Sequence, residues 1–481
     1  MAQLTSLARA FQTPDLRKKL LFTLGIIVVF RFGSTLPVPG ISAPAVRYCS
    51  GLESGSAAVN IYAILNLFSG NSLLRVTVFA TGIMPYITAS IIVQLLTQVI
   101  PRLQALKDQD RAGQATLTQY TRYLTLGLAV LISAGYVQLA RSGNLFSGTG
   151  CSATSHPLIP DPSVLTIATM MITMVAGTAV IMWMGELITD RGIGNGMSVM
   201  IFTSVIAVFF GELEQIYLTK GIPMTLEVIA VAVAVIAFVV FIEQAQRRIP
   251  VQYAKRMTGR RVYGGATTYI PLKVNQAGVI PVIFASSLLS VPQLAASLLG
   301  NQNNPQGWVA WVDRYLVPGV HVLPVYYLAF FVLIIAFTYF YTSITFNPAE
   351  IADNTRKYGG FVPGLRPGPP TASYLGYVLN RLNAPGAVYL AVIALLPMVA
   401  LGMIGIGSQA LFSGVSLLIM VGVGLDTVKQ IESQLRQHHY EGFLRRPARL
   451  AALARSAGPA ENAAAGKMTG TSDAPAALKV S

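Results

Sequence analysis

Long unbroken runs of apolar residues alternate along the chain with short segments where Lys, Arg, Gly and Pro collect. About twenty consecutive apolar residues are what a helix needs to cross the hydrocarbon core of a bilayer. Ten runs come near that length: Leu20–Leu36, Val76–Ile100, Tyr120–Ala140, Val164–Gly185, Met197–Phe210, Met224–Ile242, Ala277–Leu299, Val322–Ile344, Ala387–Met403 and Ala410–Val428. The fifth is short, because it soon meets Glu212 and Glu214. The first does not read as a cleaved signal. Nineteen residues precede it, and it runs into Leu36-Pro37-Val38-Pro39-Gly40 without a small-x-small site.

Composition agrees with the pattern. Hydrophobic residues make up 53% of the 481 and charged ones only 11%. Soluble domains carry about a quarter charged residues, so this chain lacks the polar surface to face water all round. With the N-terminus in the cytoplasm, 28 of the 34 basic residues fall on cytoplasmic segments and five outside, with Arg31 inside the first span. That bias puts both termini inside and makes the net charge of +15 largely a topology signal. Cys49 and Cys151 fall outside, where they could pair or remain separate thiols.

Each half of the chain holds five spans. Five is odd, so the sixth span enters with the opposite polarity to the first, and related halves form an inverted-topology repeat. The sequence supports a relation. The second span reads Gly82-Ile83-Met84-Pro85-Tyr86-Ile87-Thr88-Ala89-Ser90, and the seventh reads Gly278-Val279-Ile280-Pro281-Val282-Ile283-Phe284-Ala285-Ser286. Proline inside a helix removes a hydrogen bond and clashes with the preceding turn, so Pro85 and Pro281 are expected to kink their helices, with Gly82 and Gly278 easing the bend. A single such helix would signify ordinary tight packing. A matched pair in corresponding positions points to a shared central pathway.

Three further segments carry information. Before the second span lies Ile61-Tyr62-Ala63-Ile64-Leu65-Asn66-Leu67-Phe68-Ser69-Gly70, apolar but too brief to cross; it is re-entrant, packed into the bundle, or a small outer helix. The loop Gln244–Val274 holds Arg247, Arg248, Lys255, Arg256, Arg260, Arg261 and Lys273 with no acidic residue. Such a surface suits an acidic or phosphate-rich cytoplasmic partner, or anionic lipid headgroups. Next, Gly364-Leu365-Arg366-Pro367-Gly368-Pro369-Pro370 forms a stiff turn presenting one arginine, and the chain beyond Ala451 has the composition of a disordered tail.

Catalytic chemistry is missing from the pattern. His156, His321, His438 and His439 all lie outside the spans, no cluster has metal-ligand spacing, and no phosphate loop occurs. Gly192-Ile193-Gly194-Asn195-Gly196 follows an apolar helix and reads as a helix boundary. Glu186, Glu227, Glu243 and Asp426 sit near span ends, and Arg31 lies toward the outer end of its span, where snorkelling explains it. Neither an enzyme, nor a cofactor or metal site, nor an ion-coupled carrier is expected. An inverted-repeat carrier of small solutes stands as the alternative to a channel.

Over nearly its whole length the chain resembles the SecY family, the central subunits of protein-conducting channels, represented in eukaryotes by the channel's alpha-subunit. The resemblance rests on Leu67–Gly70, Gly82–Ser90, Gly185-Glu186 with Asp190–Gly196, Gln246–Arg248, Tyr253–Arg256 with Gly259–Tyr263, Pro271–Ser287, Phe346–Asn354 and Phe361–Gly368. It implies an all-α polytopic membrane protein of ten helices, two inverted halves of five around a central hourglass pore. The implied divisions are a cytoplasmic N-tail at 1–19, a first half at 20–218 and a second half at 219–429. A plug lies near 61–74, basic cytoplasmic loops lie at 244–274 and 346–381, and a mostly disordered cytoplasmic tail covers 430–481. The resemblance assigns a ring of apolar pore residues to Ile83, Ile87, Met197, Ile201, Ile283 and Ile419. Ile61, Ile64, Leu67, Phe68, Ser69 and Gly70 fall in the plug, and spans 2 and 3 facing spans 7 and 8 form a lateral gate. Arg260, Arg261 and Arg366, with Arg247 and Arg248 nearby, are the implied docking positions for the ribosome or a SecA motor. SecE and SecG subunits, secretory precursors, signal peptides and membrane lipids complete the implied partners, in a bacterial plasma membrane. An aliphatic ring excludes water and ions yet makes no sequence-specific bond to a passing chain.

Overall fold

A computed structural model of the chain describes residues 13–52, 69–70, 72–73, 75–107, 109–142, 158–161, 163–253, 256–258, 261–263, 267–299, 307–316, 325–404 and 414–456. Its elements are α1 (Pro14–Gly33), α2 (Ala43–Leu52), α3 (Met84–Val99), α4 (Pro101–Lys107), α5 (Asp110–Ser142), α6 (Val164–Arg191), α7 (Gly196–Lys220) and α8 (Ile222–Gln244). Four strands follow, β1 (Gln246–Tyr253), β2 (Arg256–Thr258), β3 (Arg261–Tyr263) and β4 (Thr267–Lys273). Then come α9 (Ile280–Leu299), α10 (Trp308–Tyr315), α11 (Val325–Thr345), α12 (Pro348–Lys357), β5 (Gly360–Phe361), α13 (Pro369–Ile404) and α14 (Gly414–Ser456). The chain forms two compact units, Met1–Lys18 with Val428–Ser481, and Lys19–Thr427. The second contains every candidate site residue.

Among the described residues, six helices are long and apolar enough to span a membrane, beginning at Val164, Gly196, Ile222, Val325, Pro369 and Gly414. The bent pair α3–α4 makes a seventh if it is taken as one span; its two parts meet at 107°. Ile100 at that corner is extended, as expected of a residue pushed out of the helical region by the following Pro101. Spans 1, 3 and 7 of the sequence reading fall on α1, α5 and α9.

Boundaries shift where the apolar run hides a change of backbone. Residues 76–83 are apolar, yet they form turns, and Pro37 bridges Thr77 in an antiparallel pair. Val76 there has φ 46°, a costly value for a β-branched residue. The helix begins only at Met84. Pro85 is therefore its second residue, not an internal kink, and Pro281 likewise is the second residue of α9. Proline is at ease in a first helical turn, since its missing N–H would have no intrahelical partner there. Gly82 and Gly278 take φ 58° and 64°, a left-handed step that only glycine makes without strain. The repeated motif is thus a helix-starting turn. In the first half the Ile83 carbonyl accepts from Tyr86 N and Ile87 N; in the second the Val279 carbonyl accepts from Val282 N and Ile283 N.

Helix contacts follow chain order within each half. α3 packs on α5, α5 on α6 and α6 on α7; α9 packs on α11 and α11 on α13. α7 meets α8 across Gly221, and α5 packs directly against α9. Close approach depends on small residues. A Cβ on Gly196 would run into the Gly185 carbonyl oxygen, and one on Gly177 into the Val78 carbonyl oxygen. Asn195 caps α7 by accepting from Met197 N and Ser198 N, so the glycine-rich stretch 192–196 is a helix boundary, as its sequence predicts.

In this mostly helical chain the basic loops have structure of their own: 244–274 carries β1 to β4, and 346–381 carries α12, β5 and the start of α13. β4, β1 and β5 form an antiparallel sheet that joins the 244–274 and 346–381 loops, with Ile249 opposite Ile270 and Gln252 opposite Phe361. Ile249, Val251 and Leu272 bury one face against Val362, Leu375 and Val378 in an apolar cluster of their own. α13 starts at Pro369, well inside the segment read as loop.

Gly196→Ala should lower stability by about 1–3 kcal/mol, the usual cost of forcing extra volume into a packed contact. Thermal unfolding in detergent reads this, with Gly211→Ala as the control. A Cβ on Gly211 meets nothing within 4 Å, so that variant should be at least as stable as the parent.

Candidate functional site

Six apolar candidates come from four separate helices or their caps. Ile83 caps α3 and Ile87 lies one turn into it, Met197 and Ile201 share a face of α7 at i,i+4, Ile283 is in the first turn of α9, and Ile419 is in α14. All six belong to one continuous apolar cluster, with Ile87 partly buried at its margin. Ile83 and Ile419 are 1% exposed, Ile201 and Ile283 7%, and Met197 9%. Such values mean that the side chains pack on protein and leave no water-filled opening at those positions.

Local packing explains how the cluster forms. A Cβ on Gly185 would stand 2.5 Å from Met197 Sδ, so the missing side chain makes room for the thioether. A Cβ on Gly422 would stand 3.1 Å from Val279 Cγ2, and one on Gly424 3.8 Å from Phe202 Cε2. α14 therefore runs beside both the start of α9 and the body of α7. In the first half, Thr81 and Thr178 hydroxyls meet at 2.6 Å and fix the turn before α3 to α6.

Of the plug candidates, Ile61, Ile64, Leu67 and Phe68 lie outside the described residues. Ser69 and Gly70 are both buried, with Ser69 Oγ accepting from Leu73 N at 3.1 Å. Gly70 has φ 68°, and a Cβ there would sit 3.2 Å from the Ser204 backbone. Arg31 reaches this point. Its Nη1 donates to the Gly70 carbonyl oxygen at 3.4 Å and its Nη2 to the Thr203 carbonyl oxygen at 2.5 Å. It turns inward instead of snorkelling, reaching the Gly70 carbonyl of an irregular segment and the flank of α7 at Thr203.

Arg122 of α5 grips Glu186 of α6 in a fork, Nε to Oε1 at 2.8 Å and Nη2 to Oε2 at 2.7 Å. Glu243, expected only to sit near a span end, is buried at 8% exposure and accepts from Asn275 Nδ2 at 3.1 Å. Among the docking candidates, Arg247 and Arg248 are exposed on β1, and Arg366 is exposed on a turn closed by the Thr371 hydroxyl donating to its carbonyl at 2.8 Å. Arg261 is in β3 and Arg260 lies outside the described residues. The sheet places β1 beside the strand that leads to Arg366, an adjacency that loop composition did not reveal. The alternation Arg248-Ile249-Pro250-Val251-Gln252 was the available sign of a strand.

A family model described as SecY matches residues 77–428. Protein translocase subunit SecY of Streptomyces scabiei is 57% identical over 446 residues, spanning 92% of this chain and all of that one. The subunit of the same name from Mycobacterium tuberculosis (strain ATCC 25618 / H37Rv) is 53% identical over 447 residues, with the same coverage. A solved protein-conducting channel superposes with TM-score 0.59 at 17% identity, covering 86% of this chain and 91% of that one. Sec61 in the canine ribosome–channel complex from the endoplasmic reticulum gives TM-score 0.55 at 17% identity and the same coverage. At such identity the likeness is one of fold.

Arg31→Met removes two hydrogen bonds from a charged donor, each on the order of 1.5–3 kcal/mol. Amide hydrogen exchange in residues 69–78 should then quicken by about tenfold or more, with Arg31→Lys between the two. Unchanged protection in the methionine variant would show that Arg31 does not hold this segment.

Proposed function

The chain belongs to the SecY family, and on that footing we propose that it passes unfolded secretory proteins across a membrane and releases transmembrane segments sideways into lipid. The observation that carries this is that side chains of α3, α7, α9 and α14 meet within a large buried apolar cluster, which also takes in residues of α1, α5, α6, α8, α11 and α13. Ile83, Ile87, Met197, Ile201, Ile283 and Ile419 form the constriction of the pore. Aliphatic groups and one flexible thioether close against each other when the pore is empty and part around a chain of any sequence, because dispersion and dewetting are not sequence-specific. Their burial corresponds to the closed state.

The segment ending at Ser69-Gly70 serves as the plug, held at its base by Arg31. The two halves, 20–218 and 219–429, move against one another along α3 and α5 on one side and α9 and α11 on the other. α5 and α9 pack together, which supports a shut gate. Arg122–Glu186 keeps α5 with α6, so that gate opening separates α5 from α9 and not from its own half. A solute carrier finds no support, since the relatives named above are translocase subunits.

Partners follow from charge and from the family. Arg247, Arg248, Arg260, Arg261 and Arg366 present guanidinium groups to RNA phosphate or acidic protein, which suits a ribosome or a SecA motor. A SecE clamp subunit and SecG accompany the channel, and the energy comes from ATP hydrolysis by SecA, from translation or from the proton motive force. Both termini face the cytoplasm of a bacterial cell whose plasma membrane holds the protein.

Ile87→Ser with Ile283→Ser should raise the resting ion conductance of the reconstituted channel well above that of the parent. No change would show that these positions do not line the seal. Arg366→Glu should cut partner-driven translocation into proteoliposomes severely while assembly stays intact. Normal translocation by that variant would remove Arg366 from the docking surface.

A further inference from the structure

The two helix-starting turns share a backbone but not the polar bridge that holds them. In the first half, Thr81 and Thr178 make a neutral contact. In the second, Asn275 Nδ2 donates both to Glu243 Oε2 at 3.1 Å and to the Gly278 carbonyl oxygen at 3.2 Å. Asn275 is 3% exposed and Glu243 8%. Asn275 Oδ1 is buried and accepts no hydrogen bond among the described residues, so the amide is oriented entirely by its donor side.

A buried carboxylate is costly and is retained where something depends on it. Here it decides which way the amide points. A rotated Asn275 would set Oδ1 against the Gly278 carbonyl and Glu243, three acceptors facing one another. With Glu243 in place the rotation is blocked, and Nδ2 stays on Gly278. The surroundings are fixed as well. Val274 N donates to the Ala245 carbonyl at 3.1 Å, a Cβ on Gly386 of α13 would collide with the Val274 carbonyl, and Lys273 pairs with Asp426 of α14 at 3.6 Å. Gly278 itself has open space around its Cβ position and φ 64°. One soft residue is thus anchored at its carbonyl, and five residues later comes Ile283.

We propose that Asn275 and Glu243 are positioning residues of the gate, which hold the Gly278 turn and thereby set the resting place of α9 and Ile283. This rests on the protein-conducting reading. In the first half the turn before α3 is tied to α6 by the neutral Thr81–Thr178 contact, whereas the second-half turn is tied through a buried carboxylate.

The test uses the complete translocase in proteoliposomes, reading resting ion conductance and transport of a precursor with a crippled signal sequence. Asn275→Ala loses the donor, and Asn275→Asp loses it while adding a second carboxylate. Each should raise resting conductance roughly tenfold, the scale on which one buried hydrogen bond shifts a two-state equilibrium, and should admit the crippled precursor. Glu243→Gln brings an Nε2 donor that can meet a rotated Asn275 Oδ1, so the amide is no longer held one way. Resting conductance should rise, by less than in Asn275→Ala, and parental conductance would remove Glu243 from the positioning pair. The double variant Glu243→Gln with Asn275→Asp remakes the side-chain pair in reverse but leaves Gly278 without a donor, so it should leak like Asn275→Asp. Should Asn275→Asp fail to assemble, Asn275→Ala and the double variant carry the comparison. Parental conductance in Asn275→Ala, or full restoration by the double variant, overturns the proposal. A parent that transports no precursor at all would instead overturn the channel reading.

Discussion

Backbone polar groups at membrane depth have no water to bond, so each must find a partner within the protein. The broken second span is where that requirement bears hardest. Residues 76–83 are mostly apolar in side chain but not helical in backbone. Many of their amides and carbonyls are taken up by a bridge to residues 36–38 and by turns closing on Ser72, Leu73, Thr77 and Phe79, and the Thr77 hydroxyl donates to the Ser72 carbonyl oxygen. Just upstream, Arg31 serves the carbonyls of Gly70 and Thr203. Satisfied in this way, irregular chain can stand in the middle of a bundle.

From that constraint the rest follows in order. The helix that starts late must start cleanly, so a left-handed glycine and a proline in the first turn open it, and the same device recurs at α9. Both helices then project an isoleucine from the first turn, Ile87 and Ile283, into one apolar cluster with residues of α7 and α14. Glycines at 185, 196, 422 and 424 set how closely those helices approach. The proposed seal is therefore built from backbone geometry first and from side-chain size second.

Much of this was legible in the residues. Apolar runs located the long helices, and the repeated Gly-x-x-Pro-x-Ile-x-Ala-Ser marked two helix starts of the same construction. What periodicity could not supply was the backbone state of an apolar run: Val76–Ile83 reads like the helix that follows it, because hydropathy is blind to φ. Proline was read as a kink because its position relative to the helix start was unknown. The small sheet was masked by basic composition, although Ile249 and Val251 alternate with polar neighbours. Tertiary partners such as Arg31 with Gly70, or Asn275 with Glu243, join residues 32 or more positions apart and leave no local mark.

The central claim is that a passing polypeptide threads the apolar cluster. Photo-crosslinking probes at Ile87 and Ile283 test it most directly, with a secretory precursor stalled part-way through the assembled translocase. The account predicts that both positions crosslink to the stalled chain and that neither does so without it. A competent complex in which the precursor is stalled and neither position crosslinks would contradict it.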